Sequence, residues 1–196
     1  MTRQQKLDRL KKIVDESMIL RRSAFERLSE PLLETADVIA GVIGSGGKIL
    51  TAGNGDMAAL SSNFAASMIG RLSRERKRQA LPVVALTADA AVLTGAAADF
   101  GYQDLFVRQI EALGHKGDLL MVLSCDGNCA NLVPAVRSAR DLGLLTLGLL
   151  GGNGGKLGGL VDRSLIVPHP TPQRVQEEHL LYLHMLTELI EYDLFA

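Results

Sequence analysis

Tryptophan is absent from this chain, and Phe and Tyr together bring the aromatic content to only 4%. A core built here has to come from Leu, Val, Ile and Ala. Cysteine is nearly absent: Cys125 and Cys129, four residues apart, make no disulfide framework. There is no excess of charge of either sign. With a net charge of −1 there is no electrostatic case for general nucleic-acid or membrane binding. No apolar run approaches the roughly 20 residues that span a bilayer. The first residues are charged and helical in pattern, with no secretory apolar core, so a cytoplasmic location is expected. What is present, 196 residues with 47% hydrophobic and 22% charged, suits one globular domain.

The stretch from Asp118 to Leu132 organises the rest. An apolar run, Leu119 to Leu123, stops at the turn Ser124-Cys125-Asp126-Gly127-Asn128, and an amphipathic segment follows from Ala130. That is the pattern of a buried parallel strand, a tight loop and a helix N-terminus. Unpaired N–H groups at such a terminus suit an anion. Here Ser124 is the only hydroxyl, and Asp126 adds a charge of the wrong sign.

Upstream, Leu7, Leu10, Ile13, Val14, Met18, Phe25 and Leu28 recur at helical spacing. Glu30-Pro31 then predicts a break before a second helix that ends at Gly44. Lys48–Ala52 reads as a strand, and Gly53-Asn54-Gly55-Asp56 as a turn into a helix reaching Leu72. This turn lacks the third glycine of a dinucleotide fingerprint. Arg71 to Arg78 holds five basic residues around Glu75, most simply a solvated helix end. Leu81–Thr87 is the next strand, and helices follow over Ala88–Ala98 and Tyr102–Leu113. Beyond the organising stretch come a helix to Leu142, a strand over Leu144–Leu150, a Gly-rich loop, a strand over Arg163–Val167 and a helix over Gln176–Phe195. Strands alternating with helices at this spacing predict a doubly wound parallel sheet of about five strands, with ligands at the strands' C-terminal ends.

Cys125 and Cys129 read as structural residues ahead of a metal or redox pair. His179 and His184 are five apart, on different faces of one helix. His169, between two prolines, is a loop residue, and His115 has no evident partner.

Taken together, G-N-G, N-F-A-A-S-M-I-G-R, L-P-V-V-A-L-T-A-D, E-A-L-G-H-K-G-D, S-C-D-G-N, G-G-K-L-G-G-L and R-V-Q-E-E-H resemble the SIS (sugar isomerase) domain. Within it the chain is similar to the phosphoheptose isomerases and the DnaA initiator-associating proteins. The resemblance implies one SIS domain over residues 1–196, a flavodoxin-like three-layer α/β sandwich. Two N-terminal helices (1–45) would serve oligomerisation and a long C-terminal helix would close the 46–196 sandwich. It also implies a homotetramer with sites shared between subunits.

For ligand binding the resemblance points to Gly53, Asn54, Gly55, Arg71, Asp99, Ser124, Gly127, Asn128 and Gln176. The family's zinc-site positions fall on Asn63, Ser67, Gln176 and His184, and its catalytic positions on Ser67 and His184. Active relatives carry a His and a Glu where this chain has Asn63 and Ser67. Gln173 stands where the family has an Asp. One imidazole and neutral neighbours are poor zinc ligands, so no cofactor is expected. Ser67 is no base without an activating neighbour. The expectation is a catalytically impaired phosphosugar-site protein acting as a binding or regulatory module, with an active sedoheptulose 7-phosphate isomerase as the alternative. Leu194 and Phe195 match an initiator-contact position, which makes DnaA a candidate partner; packing against the chain's own first helices is equally weighted.

Overall fold

The computed structural model describes residues 1–73 and 77–195. The middle of the basic run, residues 74–76, lies outside them.

The chain begins with one helix rather than two. Helix α1 runs Arg3–Gly44, opened by a capping box between Thr2 and Gln5. Pro31 sits inside it, where a break was expected. Proline in a helix interior costs about 3 kcal/mol. Leu20, Ala24, Leu28, Leu32, Ala36 and Ile39 form a continuous buried stripe on both sides of Pro31. A buried leucine contributes about 1.5–3 kcal/mol, so the stripe outweighs the proline. Thr35 Oγ1 donates to the Pro31 carbonyl at 2.6 Å, close to the interruption.

The strands are β1 (Ile49–Gly53), β2 (Val83–Ala85), β3 (Leu119–Ser124), β4 (Leu145–Gly151) and β5 (Arg163–Val167). They form one sheet in the order β2-β1-β3-β4-β5, every pair parallel. β3 is buried at all six positions, as a central parallel strand covered on both faces must be. Side chains alternate between two cores. Ile49, Met121, Leu123, Leu147 and Leu149 meet α1, α2 (Asp56–Ile69) and α7 (Pro172–Phe195). Leu50, Leu120, Val122 and Leu150 meet α3 (Ala90–Phe100), α4 (Val107–Leu113), α5 (Leu132–Asp141) and the short α6 (Gly155–Gly158). The expected doubly wound sandwich is therefore present, with a single long N-terminal helix.

Other boundaries moved. The segment from Tyr102 to Leu113 is a 3-10 turn, Tyr102–Asp104, followed by α4. α7 starts at Pro172, ahead of the expected Gln176; proline is well suited to a first helical turn. α7 begins beside Cys125, passes the end of β4 at Leu150 and brings Leu194 to Gly44, so it runs antiparallel to the strands. Among the described residues no helix is long and apolar enough to cross a membrane.

Candidate functional site

The strand order reverses between β1 and β3, and their register pairs Gly53 with Leu123. Ligands of open α/β sheets sit in the crevice outside the carboxyl ends of strands at this switch point. Gly53 ends β1 where a Cβ would meet the Met57 backbone at 2.7 Å, so the turn into α2 closes only on glycine. Across the crevice Asn54 and Asn131 exchange amide hydrogen bonds: Asn54 Nδ2 donates to Asn131 Oδ1 at 2.8 Å, and Asn131 Nδ2 to Asn54 Oδ1 at 2.9 Å. Asn131 is fully buried. This pair locks the two loops together and leaves Asn54 half-buried at the opening. Sequence reasoning missed Asn131; its only signal was an asparagine heading the helix after the organising strand.

The loop after β3 departs from the expectation of unpaired N–H groups. Ser124 Oγ accepts from the Gly127 N–H at 2.9 Å and donates to Asp126 Oδ1 at 3.2 Å. Asp126 Oδ1 also accepts from the Asn128 N–H at 2.9 Å. The Asp126 carboxylate thus takes the hydroxyl and one of the N–H donors that a phosphate would use. Asn128 Oδ1 accepts from Lys156 N–H at 3.2 Å, and the Gly127 carbonyl from Leu157 N–H at 3.0 Å, so the loop leans on α6. Gly127, at φ +70, lies against Gly154: an added Cβ would fall 1.9 Å from that carbonyl oxygen. Ser124 and Gly127 are buried, while Asp126 and Asn128 are exposed. Cys125 and Cys129 are both half-buried. Burial first, then the negative charges of Asp126, Cys129 and Asp56, push the Cys125 thiol up, away from reactivity.

The remaining expected residues lie on α2 and α7. Asn63 is exposed and Ser67 half-buried, one turn apart on α2; Gln176 and His184 are half-buried on α7. Arg78 reaches α2 through the carbonyls of Ser67 and Met68 and pairs with Glu191 of α7. Among the described residues no group of three or more His, Cys, Asp or Glu is arranged to hold a metal. The family's zinc positions offer one imidazole, two amides and a hydroxyl, a set that does not fit zinc. His184 lies twelve residues beyond Pro172, about 18 Å down the helix at 1.5 Å per residue. Because Pro172 adjoins Cys125, a single chain does not bring His184 and the Ser124 loop around one small ligand. Arg71 and Asp99 are both exposed, at the ends of α2 and α3.

Two histidines differ from expectation, and the terminal apolar pair follows one of its two equally weighted expectations. His115 does have partners: its N–H donates to Asp118 Oδ2 at 2.8 Å and its Nδ1 lies 3.1 Å from Lys48 Nζ. His179, first set aside, is fully buried, with Nε2 3.2 Å from the Leu150 carbonyl; burial lowers its pKa to about 4. Leu194 and Phe195 pack partly against the core. His169 is the loop residue expected, accepting from Thr171 N–H at 3.1 Å.

The sequence profile of the SIS domain matches residues 14–151. A phosphoheptose isomerase from Aliarcobacter butzleri is 43% identical over 169 residues, 86% of this chain and 88% of its own. One from Aquifex aeolicus is 37% identical over 185 residues, 94% of this chain and 96% of its own. Among solved structures, the phosphoheptose isomerase of Neisseria gonorrhoeae superposes with a TM-score of 0.89 at 35% identity, covering 95% of this chain and 98% of its own. That of Francisella tularensis superposes at 0.90 and 29% identity, covering 98% of this chain and all of its own.

Proposed function

The chain belongs to the SIS-domain family, and from that premise we propose a phosphosugar isomerase of the phosphoheptose type working with a depleted acid–base set. The observation that carries this reading is whole-chain likeness: phosphoheptose isomerases at 36–43% identity cover 86–96% of this chain. The reaction class is the interconversion of sedoheptulose 7-phosphate and D-glycero-D-manno-heptose 7-phosphate. The sugar's phosphate is assigned to the Ser124–Asn128 loop, and its hydroxyls to Asn54 beside the β1 turn.

Converting the ketose to the aldose means removing a proton from C1 and returning one to C2, while the carbonyl oxygen at C2 gains a proton and the C1 hydroxyl loses one. Of the four family positions, only His184 carries a side chain of the type that serves as a general acid or base. Asn63 and Ser67 are left to orient hydroxyls by hydrogen bonds. A positioned acid or base contributes about 10²–10⁴-fold, so turnover is expected to be slower than in an enzyme with a full pair by that factor. No step is assigned to a metal, because the donors do not suit one.

The 18 Å offset along α7 supports a shared site, in which one copy offers the Ser124 loop and a second copy His184. Leu7, Leu10, Val14, Met18 and Ile19 stand exposed on α1, an apolar face that fits such a homo-oligomer, a tetramer in the family pattern.

A second reading, binding without turnover, is favoured by a specific observation: the Asp126 carboxylate takes the Ser124 hydroxyl and the Asn128 N–H, while Asn63 and Ser67 stand at the family's zinc-ligand and base positions. An initiator contact through Leu194 and Phe195 has less support, since both pack inward. A coupled assay with sedoheptulose 7-phosphate separates the two: turnover above a blank supports the isomerase, and saturable binding with no turnover supports the module.

A further inference from the structure

We infer that Asp126 is a specificity-determining residue of the crevice, a built-in competitor that holds the phosphate end of the loop against a dianionic ligand. The inference rests on the reading that the sugar phosphate enters at the Ser124 loop. Its Oδ1 accepts from the Ser124 hydroxyl at 3.2 Å and from the Asn128 N–H at 2.9 Å. An incoming phosphoryl oxygen needs the same two donors. No carboxylate of the loop itself is needed to fold it, because Gly127 N–H is held by Ser124 Oγ and the Gly127 carbonyl by Leu157 N–H. Asp126 is exposed and free to leave, so a phosphate displaces it rather than being shut out. Within the loop the displaced carboxylate still lies close to the phosphate, and Asp56 at the head of α2 adds a second negative charge that is felt at Cys125. Lys156 brings a cation to α6 beside Asn128, but only its backbone N–H is engaged there. The outcome is a site that discriminates poorly between a phosphorylated sugar and its neutral counterpart.

Asp126→Asn separates charge from occupancy, since the amide oxygen can still accept from Ser124 and Asn128. Calorimetric titration of the full chain with sedoheptulose 7-phosphate and with unphosphorylated sedoheptulose gives the selectivity directly. Asp126→Asn is expected to bind the phosphorylated sugar about 30-fold more tightly than the natural chain, the Coulomb effect of one carboxylate on a dianion about 4 Å away in a water-like medium. Affinity for sedoheptulose should stay within about twofold, and Asp126→Ser should follow Asp126→Asn. Equal affinity of the natural chain and both variants for the phosphorylated sugar overturns the role of Asp126, while the retained binding still supports a chain that takes a sugar phosphate. Absence of binding by all three, each with an unchanged melting temperature, overturns the site assignment and this inference with it.

Discussion

Substituting Gly127 by alanine tests whether the loop after β3 is held in place by the loop after β4. The new Cβ would fall 1.9 Å from the Gly154 carbonyl oxygen and 2.4 Å from its carbon, backbone against backbone, with no flexible side chain to give way. At φ +70 the alanine also carries about 1–2 kcal/mol of left-handed strain. Moving the loop to relieve the clash breaks the Gly127 N–H bond to Ser124 and the Leu157 N–H bond to the Gly127 carbonyl, about 1 kcal/mol each. Forced repacking adds about 1–3 kcal/mol. The cost is about 4–7 kcal/mol, which for a chain of this size lowers the melting temperature by roughly 8–28 °C. Gly152→Ala is the control, because Gly152 has φ +64 and nothing within 4 Å of an added Cβ. It should lose only the strain, roughly 5 °C. Calorimetric melts of both variants at matched protein concentration decide. If Gly127→Ala melts with Gly152→Ala, the two loops are not in the contact described.

Restoring the missing chemistry should restore rate: Asn63→His with Ser67→Glu, one turn apart on α2, is expected to raise turnover of sedoheptulose 7-phosphate by about 10²–10⁴-fold. His184→Gln in the natural chain should bring turnover to the blank, and an unchanged rate would remove His184 from the chemistry. Acid stability should depend on His179. Its folded pKa is about 4 against about 6.5 when unfolded, so the unfolded chain takes the proton first. Stability is then full above about pH 6.5 and falls by about 3 kcal/mol as pH drops toward 4. Glu178, whose carboxyl is pushed up by burial, works in the opposite direction, and Asp118, with its carboxyl held low by Lys48 and His115 against the opposing effect of its burial, acts only below about pH 4. His179→Gln should flatten the decline in urea denaturation between pH 6.5 and 4, and an unchanged slope would place the titrating group elsewhere.

The architecture was readable because its signals are periodic. The uninterrupted run Leu119–Leu123 announced a strand covered on both faces, and the alternation of strands with helices announced a parallel sheet. Pro31 misled because the intrinsic cost of proline is visible in sequence, whereas the stripe Leu20-Ala24-Leu28-Leu32 that overrides it gains its energy only against α7 and the sheet. The Asn54–Asn131 pair was hidden for a related reason: 77 residues separate its members, and neither is distinctive alone. The same holds for His179, whose burial depends on where α7 crosses the end of β4. Asp126 was recognised as the wrong charge for a phosphate loop, but its capture of Ser124 and Asn128 is a matter of hydrogen-bond geometry. Family likeness carried the proposed ligand class. The roles of Asn63 and Ser67 rest on the chemistry of the side chains that stand there.

The most direct measurement is the interconversion of sedoheptulose 7-phosphate and D-glycero-D-manno-heptose 7-phosphate by the purified full chain, followed by a coupled assay alongside His184→Gln. Slow turnover by the natural chain that vanishes in the variant is the predicted result. No turnover by the natural chain at any substrate concentration that saturates binding would contradict it and leave a sugar-phosphate-binding module in its place.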